Sequence, residues 1–199
     1  MTYVNNIYKK INKCRISGDK NLIRVAKFPK MGLTGTFPKS KSENIIKTPV
    51  EVVFSKKSKL LQLKHNYNPK ILYGKNYGYR SGLNPKMVRH LKNKFNSLMA
   101  NFKINKQDLI LDIGSNDGTF LNFFKNNSRC YGIDPSIIKL KKYYKNKSNT
   151  VPNTFEKGYS KISKKKFKLI TAVAMFYDLE KAINFVELVK SILESDGVF

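Results

Sequence analysis

A short apolar run that leads directly into a glycine-bearing loop constrains the fold of this chain more than any other feature. Residues 109–113 read Leu-Ile-Leu-Asp-Ile, and residues 114–118 read Gly-Ser-Asn-Asp-Gly. A run that is apolar almost throughout, rather than alternating, is typical of a strand buried on both faces of a parallel sheet. Parallel strands need crossover connections, usually helices, so the neighbouring sequence must alternate between strands and helices.

The second half of the chain shows this alternation. Strands are predicted at 131–134 and 168–175, and helices are predicted from Thr119, over 137–144 and over 179–193. The last helix has an apolar face at helical spacing, made of Ile183, Val186, Val189, Ile192 and Leu193. We therefore predict an α/β, Rossmann-like domain over residues 104–199, with about four parallel strands.

The first half is organised differently. Residues 1–66 read as a small irregular and β-rich module, with turn signals at Phe28-Pro29 and Met31-Gly32 and one hairpin of strands near 50–53 and 60–63. A Tyr/Gly segment and a connecting helix are predicted over 67–103. Asn84 is expected to cap that helix and Pro85 to occupy its first turn.

The chain has 199 residues and a net charge of +26, from 39 Lys and Arg against 13 Asp and Glu. Of these cations 34 are Lys and 5 are Arg, and Asn (21) and Ile (17) are common while Ala (5) is rare. Lys, Asn and Ile have AT-rich codons, so a low-GC genome explains much of the charge, and Arg, the bidentate phosphate ligand, is scarce. We therefore expect no nucleic-acid partner, although residues 1–100 carry a net charge of +19.

Other classes of protein are disfavoured by simple patterns. No apolar stretch approaches the ~18 residues of a membrane span, and no secretory leader pattern opens the chain, so we expect a cytoplasmic protein without a membrane partner. Cys14 and Cys130 are the two cysteines of the sequence, too few for a disulfide framework.

The glycine loop and a later acid together indicate a nucleoside-cofactor site. Asp134 ends the strand at 131–134 and lies 22 residues beyond Asp112, close to the spacing at which a carboxylate accepts both ribose hydroxyls. Asn116 stands where a dinucleotide fingerprint has its middle glycine, which argues against NAD. S-adenosylmethionine has no pyrophosphate and tolerates such a loop, with Asp112 facing the methionine ammonium. The alternative is that glycine and acid only mark turns of the fold.

Several longer motifs carry a more specific resemblance. DIGSNDGTFL (112–121), GIDP (132–135), AMFYDLE (174–180) and DGVF (196–199) follow LLQL (60–63) and LYGKNYGYRSGLNPKMVRHL (72–91). In this order they resemble the S-adenosylmethionine-dependent C-methyltransferases of deoxysugar biosynthesis, which are class I methyltransferases. The resemblance implies methyl transfer to a carbon beside the ketone of a nucleotide-linked 4-keto-6-deoxyhexose.

The resemblance also implies roles for individual residues. Cofactor-binding positions would be Asp112, Gly114, Asn116, Gly118 and Asp134, with Met175, Phe176 and Tyr177 at the methionine end. Tyr77 and Tyr79 would face the sugar and are candidates, as is His90, for removing the proton beside the ketone. Arg80 either meets the substrate diphosphate or is an ordinary surface arginine.

The chain departs from this family at two places. The family's zinc-binding module has two C-x-x-C pairs, and the corresponding residues here are Cys14, Ser17, Ser55 and Ser58. Hydroxyls do not replace thiolates on zinc, so we predict that zinc is absent and that residues 1–60 are loosely held unless their apolar residues suffice. The sequence also stops where the family's next strand begins, which would leave the strand at 168–175 as an apolar edge. The resemblance places the family's catalytic segment beyond this point, so we expect a fragment that lacks the catalytic C-terminal part.

Two other functions remain open from the sequence. One is an RNA or protein methyltransferase that holds a polyanion with the basic first half, where aromatic residues lie among lysines. The other is a non-enzymatic basic binding module whose Rossmann-like half is inert. The sequence does not indicate an oligomeric state.

Overall fold

A computed structural model describes residues 4, 6–35, 37–74 and 77–199 of the chain. The chain divides into two compact units. The first is Met1–Tyr79 with Glu180–Ala182, and the second is Arg80–Leu179 with Ile183–Phe199.

The first unit is built on antiparallel strands. Its elements, numbered along the chain, are β1 (Tyr8–Lys10), β2 (Leu22–Gly32), β3 (Lys47–Ser55), β4 (Leu60–Leu63), β5 (His65–Tyr67) and the one-turn helix α1 (Pro69–Leu72). The order β2-β3-β4 forms one sheet and β1-β5 a second, two-stranded one. Among the described residues of this unit the buried apolar side chains are Ile11, Cys14, Leu33, Val53 and Ala182, so its core is small.

The predicted hairpin is confirmed, but the turns predicted between residues 28 and 32 are wrong. β3 and β4 pair with Val53 opposite Gln62 and Phe54 opposite Leu61. Phe28-Pro29 and Met31-Gly32, predicted as turns, lie inside the eleven-residue strand β2. The β2–β3 register shifts between Phe28 and Met31, and β2 is an edge strand, which is where a proline is tolerated in a sheet.

The second unit has the predicted α/β architecture over residues 104–199, and it also includes the connecting helix. Its elements are α2 (Pro85–Asn101), β6 (Ile110–Ile113), β7 (Cys130–Ile133), α3 (Ile137–Leu140), β8 (Thr150–Val151), α4 (Phe155–Gly158), β9 (Phe167–Thr171), α5 (Ala182–Ile192) and β10 (Leu193–Val198). The five strands pair in the order β10-β9-β6-β7-β8, and every pair is parallel. Chain order runs outward in both directions from the β6/β9 pair, which makes this pair the switch point of the sheet.

Two core clusters show that both faces of this sheet are covered. Leu111 and Ile113 pack with Phe185, Val189 and Ile192 from α5. The intervening residue of the same strand, Ile110, packs in a second cluster with Leu91 from α2 and with Phe120, Leu121 and Leu169. Alternate residues of β6 therefore face opposite helical layers, which explains why this strand is apolar without alternation.

The connecting helix forms as predicted. Asn84 caps α2, and its side-chain oxygen accepts from the backbone N–H groups of Lys86 and Met87 at 2.9 and 3.4 Å. Pro85 occupies the first turn, where a missing N–H costs nothing. Within the described part of the chain no helix combines the length and the apolar character needed to cross a membrane.

Three predictions in this unit are corrected. The helix expected from Thr119 is only a 3₁₀ turn, Leu121–Phe123, because the Asn127 side-chain amide donates to the carbonyls of Leu121 and Phe124 and ends it there. The helix expected over 137–144 is one α-turn, α3, followed by the 3₁₀ turn Lys141–Tyr143. The strand expected over 168–175 ends at Thr171, and Ala174 has a positive φ of 56° that is incompatible with a strand.

The predicted exposed edge is also wrong, and the sheet has five strands rather than about four. β9 pairs with β6 on one side and with β10 on the other. The terminal residues therefore form a strand that covers the apolar edge of β9.

Candidate functional site

The glycine loop lies at the switch point of the five-stranded sheet. Ile113 pairs with Ile133, and Asp112 pairs with Gly132 on one side and with Thr171 on the other. Because these strands are parallel, the segments that follow β6, β7 and β9 emerge at the same edge. In open α/β sheets ligands bind in the crevice outside the carboxyl ends of the strands at such a point.

The loop after β6 has a backbone that most side chains would not allow. Gly114 and Gly118 both have φ of 76°, and Asn116 between them has φ of 50°. A Cβ at Gly114 would lie 2.8 Å from Met175 Cγ, and one at Gly118 would lie 2.8 Å from the Tyr144 ring. Both glycines are therefore required by conformation and by space, as the sequence predicted for a loop that turns sharply.

Asp134 connects the end of β7 to this loop. Its Oδ2 accepts from the Asn116 backbone N–H at 3.0 Å, and its Oδ1 accepts from the Ser136 N–H at 2.6 Å. The residue is half-buried, so the carboxylate is reachable while being held in one orientation. Each oxygen has a second lone pair, which leaves the group able to accept from a pair of ribose hydroxyls.

Asp112 lies beneath the loop, and its surroundings favour the neutral acid. The residue is 4% exposed, and its Oδ1 accepts from the Thr171 hydroxyl at 2.7 Å. Burial raises the pKa of Asp112 to about 7, the Thr171 hydrogen bond opposes this, and the charge of Asp134 adds to it. A contact with a methionine ammonium, as expected from the sequence, stays a prediction. What the structure shows is a carboxyl group that links β6 to β9.

Two polar residues that the sequence did not single out complete the base of the loop. The Ser115 and Tyr144 hydroxyls are 2.7 Å apart, and the Tyr144 hydroxyl donates to the Asn116 carbonyl at 2.9 Å. Burial raises the pKa of Tyr144 well above its usual range, so it remains a neutral donor. Tyr144 was predicted only as the end of a helix, and nothing in its local sequence indicated this contact.

The remaining predicted residues of the second unit occupy varied environments. Met175 packs against Gly114, and Phe176 is 40% exposed with its ring 5.7 Å from that of Phe185. Tyr177 is 71% exposed, in the 3₁₀ turn Phe176–Asp178. His90 lies on the exposed face of α2.

Arg80 is placed beside the loop rather than on an open surface. Its Nε lies 3.2 Å from Asp117 Oδ2 as an ion pair, and its guanidinium carbon lies 4.0 Å from the centre of the Tyr143 ring. The structure therefore gives this arginine two protein partners of its own.

Tyr77 and Tyr79 belong to the first unit, where they form an aromatic group with Tyr73. The Tyr73 and Tyr77 rings are 5.3 Å apart and edge-on, and the Tyr77 and Tyr79 rings are 6.5 Å apart. Tyr79 is 39% exposed. Residues 75 and 76 of the same Tyr/Gly segment lie outside the described residues. A role of the two tyrosines at a sugar stays a prediction.

The four positions aligned with zinc ligands meet in the first unit, and they are joined by hydrogen bonds. The Sγ of Cys14 lies 3.1 Å from the Ser58 hydroxyl, and Sγ accepts from the Ser17 N–H at 3.5 Å. The Ser55 hydroxyl accepts from the Ser58 N–H at 3.5 Å. Burial raises the pKa of Cys14, but bonds from the Ser17 and Ser58 hydroxyls and from the backbone of Ser17 and Ile16 outweigh it and lower the pKa to about 6.

This donor set does not fit a structural zinc ion. Tetrahedral zinc in proteins takes thiolate, imidazole or carboxylate ligands, and here one thiol faces three hydroxyls. Among the described residues no group of three or more His, Cys, Asp and Glu could hold a metal. The serine hydroxyls instead act as hydrogen-bonding partners in the same two turns.

Comparison with known proteins identifies the class of the second unit. The methyltransferase domain family matches residues 87–199, which include the glycine loop, Asp134 and the segment after β9. The chain belongs to this methyltransferase domain family.

A curated relative adds detail. The chain is similar to C-methyltransferase NovU of Streptomyces niveus, with 25% identity over 134 residues. The match covers 66% of this chain and 32% of that protein, so the chain spans about a third of its relative.

The buried acid predicts a specific pH dependence of stability. The folded pKa of Asp112, about 7, lies above its ordinary value of 3.8, so between these pH values the unfolded chain loses the proton while the folded chain keeps it. The contribution of Asp112 to the free energy of unfolding should therefore be complete below pH 4. It should fall by up to about 4 kcal/mol towards pH 7, because each pKa unit corresponds to about 1.36 kcal/mol. Asp112→Asn should remove this fall, measured by urea unfolding from pH 4 to 8. Asp108→Asn, at a half-buried carboxylate, is the control, and parallel curves for wild type and Asp112→Asn would contradict the assignment.

The zinc-ligand positions predict stability that does not depend on metal. Purified protein should carry far less than one zinc per chain by elemental analysis, and a chelator should leave the thermal midpoint unchanged. The triple variant Ser17→Cys, Ser55→Cys and Ser58→Cys provides the comparison, because four thiols at these positions should take up one zinc and then become chelator-sensitive. Stoichiometric zinc in the wild type, with a midpoint that falls on chelation, would show that the serine cluster binds metal after all.

Proposed function

We propose that the second unit binds S-adenosylmethionine and that the chain is part of an enzyme that methylates a carbon of a nucleotide-linked keto-deoxysugar. The observation that carries the cofactor proposal is the half-buried Asp134 carboxylate, held against a glycine loop at the switch point of a methyltransferase-family sheet. The substrate proposal rests on the motifs that resemble sugar C-methyltransferases and on the similarity to a C-methyltransferase.

The residues at this edge suit a nucleoside that carries an amino acid rather than a pyrophosphate. Asp134 offers acceptors for two ribose hydroxyls. A ribose with a 2′-phosphate lacks one of these hydroxyls and would bring a second negative group, so the carboxylate favours a free ribose. Gly114 and Gly118 allow the positive φ angles of the loop, and Gly114, at the start of the loop, is only half-buried. Met175 supplies apolar surface beside Gly114, and Phe176, the next residue, is 40% exposed, in keeping with the methionine end of the cofactor.

When bound, the cofactor supplies a methyl group on a sulfonium, which is electrophilic without any metal. The contribution of the protein is then mainly to hold the acceptor carbon in line with that methyl group. A carbon acceptor must first lose a proton, and a carbon beside a ketone loses one readily enough for a positioned side chain to act as base. Tyr77, Tyr79 and His90 are the candidates for that role.

The cofactor proposal predicts a large effect of one carboxylate on binding. S-adenosylhomocysteine should bind wild type measurably by isothermal titration calorimetry, and Asp134→Ala should weaken binding about tenfold or more, because hydrogen bonds to a charged group are worth about 1.5–3 kcal/mol. Asp108→Ala is the matched control, since Asp108 also accepts a loop N–H, from Asn105 at 2.6 Å, but lies outside the switch point. Equal affinities of Asp134→Ala and wild type would remove Asp134 from the site.

The substrate proposal is tested by following carbon chemistry directly. With a nucleotide-linked 4-keto-6-deoxyhexose in deuterated buffer, the protein should exchange the hydrogen beside the ketone, and with labelled S-adenosylmethionine it should transfer label to that carbon. Mass spectrometry of the sugar nucleotide reports both steps. Cofactor binding without exchange or transfer would leave the class of cofactor standing and would overturn the sugar substrate, and label found in RNA or protein would favour the alternative acceptors.

A further inference from the structure

The segment immediately before α2 lies along the glycine loop. Residues 80–82, which we call the strap, are the N-cap and the first two residues of the 3₁₀ turn Ser81–Leu83. The Ser81 backbone N–H donates to Asn116 Oδ1 at 2.9 Å, and the Gly82 N–H donates to Asp117 Oδ2 at 2.9 Å. Two consecutive strap amides therefore bind two consecutive loop side chains.

Arg80 adds a charge to these contacts. The guanidinium forms the ion pair with Asp117 and stacks on Tyr143, and the Arg80 side chain is 23% exposed against 3% for Asp117. The buried carboxylate is thus compensated by a cation that an aromatic face holds in place. An ion pair of this kind is costly to break because the remaining charge stays buried.

Gly82 fits this arrangement only because it has no side chain. A Cβ at this position would lie 2.7 Å from Asp117 Oδ2 and 2.9 Å from the Thr119 hydroxyl. The same carboxylate accepts, through Oδ1, from the Thr119 N–H at 3.2 Å and from its hydroxyl at 2.6 Å. Asp117 therefore connects the strap to the end of the loop, and nothing larger than glycine leaves room for it.

The strap also acts on the strained residue of the loop. Asn116 has a left-handed backbone, which costs free energy outside glycine unless its surroundings maintain it. Its N–H is bound by Asp134 and its side chain by Ser81. The loop is consequently fixed from two sides, once by the carboxylate expected to meet the ribose and once by the strap.

We propose that the strap sets the shape of the cofactor loop, and that Arg80 and Asp117 are positioning residues for cofactor binding. This rests on the proposed function of the loop. It gives Arg80 a role different from both that the sequence left open, a diphosphate contact and an ordinary surface arginine. The energy of cofactor binding then depends on residues that precede the methyltransferase-family match, which begins at residue 87.

Four single variants of the full chain test this proposal, with S-adenosylhomocysteine as the probe. Arg80→Met removes the charge at similar length, and Gly82→Ala forces one methyl group against the Asp117 carboxylate. Both should weaken binding about tenfold, because a loop that is not preorganised must be ordered on binding. Arg80→Lys keeps the cation and should recover most of the affinity, and Leu83→Ala, at a 65% exposed neighbour, should match wild type.

A double variant separates positioning from general destabilisation. Arg80→Met and Asp117→Asn break the same ion pair. The double variant should therefore bind S-adenosylhomocysteine with nearly the same affinity as whichever single variant binds it less tightly. Thermal midpoints measured alongside show whether affinity follows the strap or overall stability. The proposal would be overturned if the fold-losses of affinity of the two single variants multiply in the double variant. It would also be overturned if affinity falls only in proportion to the thermal midpoint.

Hydrogen exchange of the loop makes the test independent of the cofactor. Mass spectrometry of peptides covering residues 112–124 should show faster exchange in Arg80→Met and Gly82→Ala than in wild type and Leu83→Ala. Unchanged exchange and unchanged affinity would overturn the strap. If wild type binds no S-adenosylhomocysteine while exchange changes as expected, the strap stands and the proposed cofactor falls.

Discussion

The burial of β6 on both faces and along both edges is the constraint on which the second unit depends. Its residues face α5 on one side and α2 on the other, while β7 and β9 pair with its two edges. A polar residue in such a strand must be neutral or fully bonded, and Asp112 is held by Thr171 with its pKa raised to about 7. The same centrality brings the segments after three strands to one edge. The core and the candidate site are therefore consequences of one strand position.

Local features of the sequence predicted much of this, and long-range pairing accounts for most of what they missed. Asn84-Pro85 predicted the start of α2, and the apolar run predicted the buried strand, because capping and burial depend on residue type at adjacent positions. The length of β2 through Pro29 depends instead on β3, and β10 exists because the edge of β9 needs a partner. The short 3₁₀ turn after Thr119 depends on Asn127, a few residues beyond the predicted start.

The site divides in the same way. Gly114, Gly118 and Asp134 could be found from spacing, since a turn that needs positive φ and an acid at a strand end are written in residue types. Tyr144 and the strap could not, because their contacts join backbone groups and side chains about 30 residues apart. Arg80 shows the difference most clearly. Sequence alone permits a phosphate contact or a solvated surface, whereas the fold brings it to a buried carboxylate.

Three acids of the chain are gathered at the candidate site, where the local charge differs from the positive net charge of the whole chain. Only 13 residues of the sequence are acidic, and Asp112, Asp117 and Asp134 all lie in or beside one loop. The pKa of Asp112 is raised to about 7, so this buried acid is only partly ionised at pH 7, and Asp117 is paired with Arg80. Asp134 accepts only backbone N–H groups within the described part of the chain, so it is the acid of the loop with the least compensation. At physiological salt the distant lysines are screened beyond about 8 Å, and a carboxylate in contact dominates. The proposed sulfonium cofactor, a cation, would therefore meet a local carboxylate in a protein whose net charge is strongly positive.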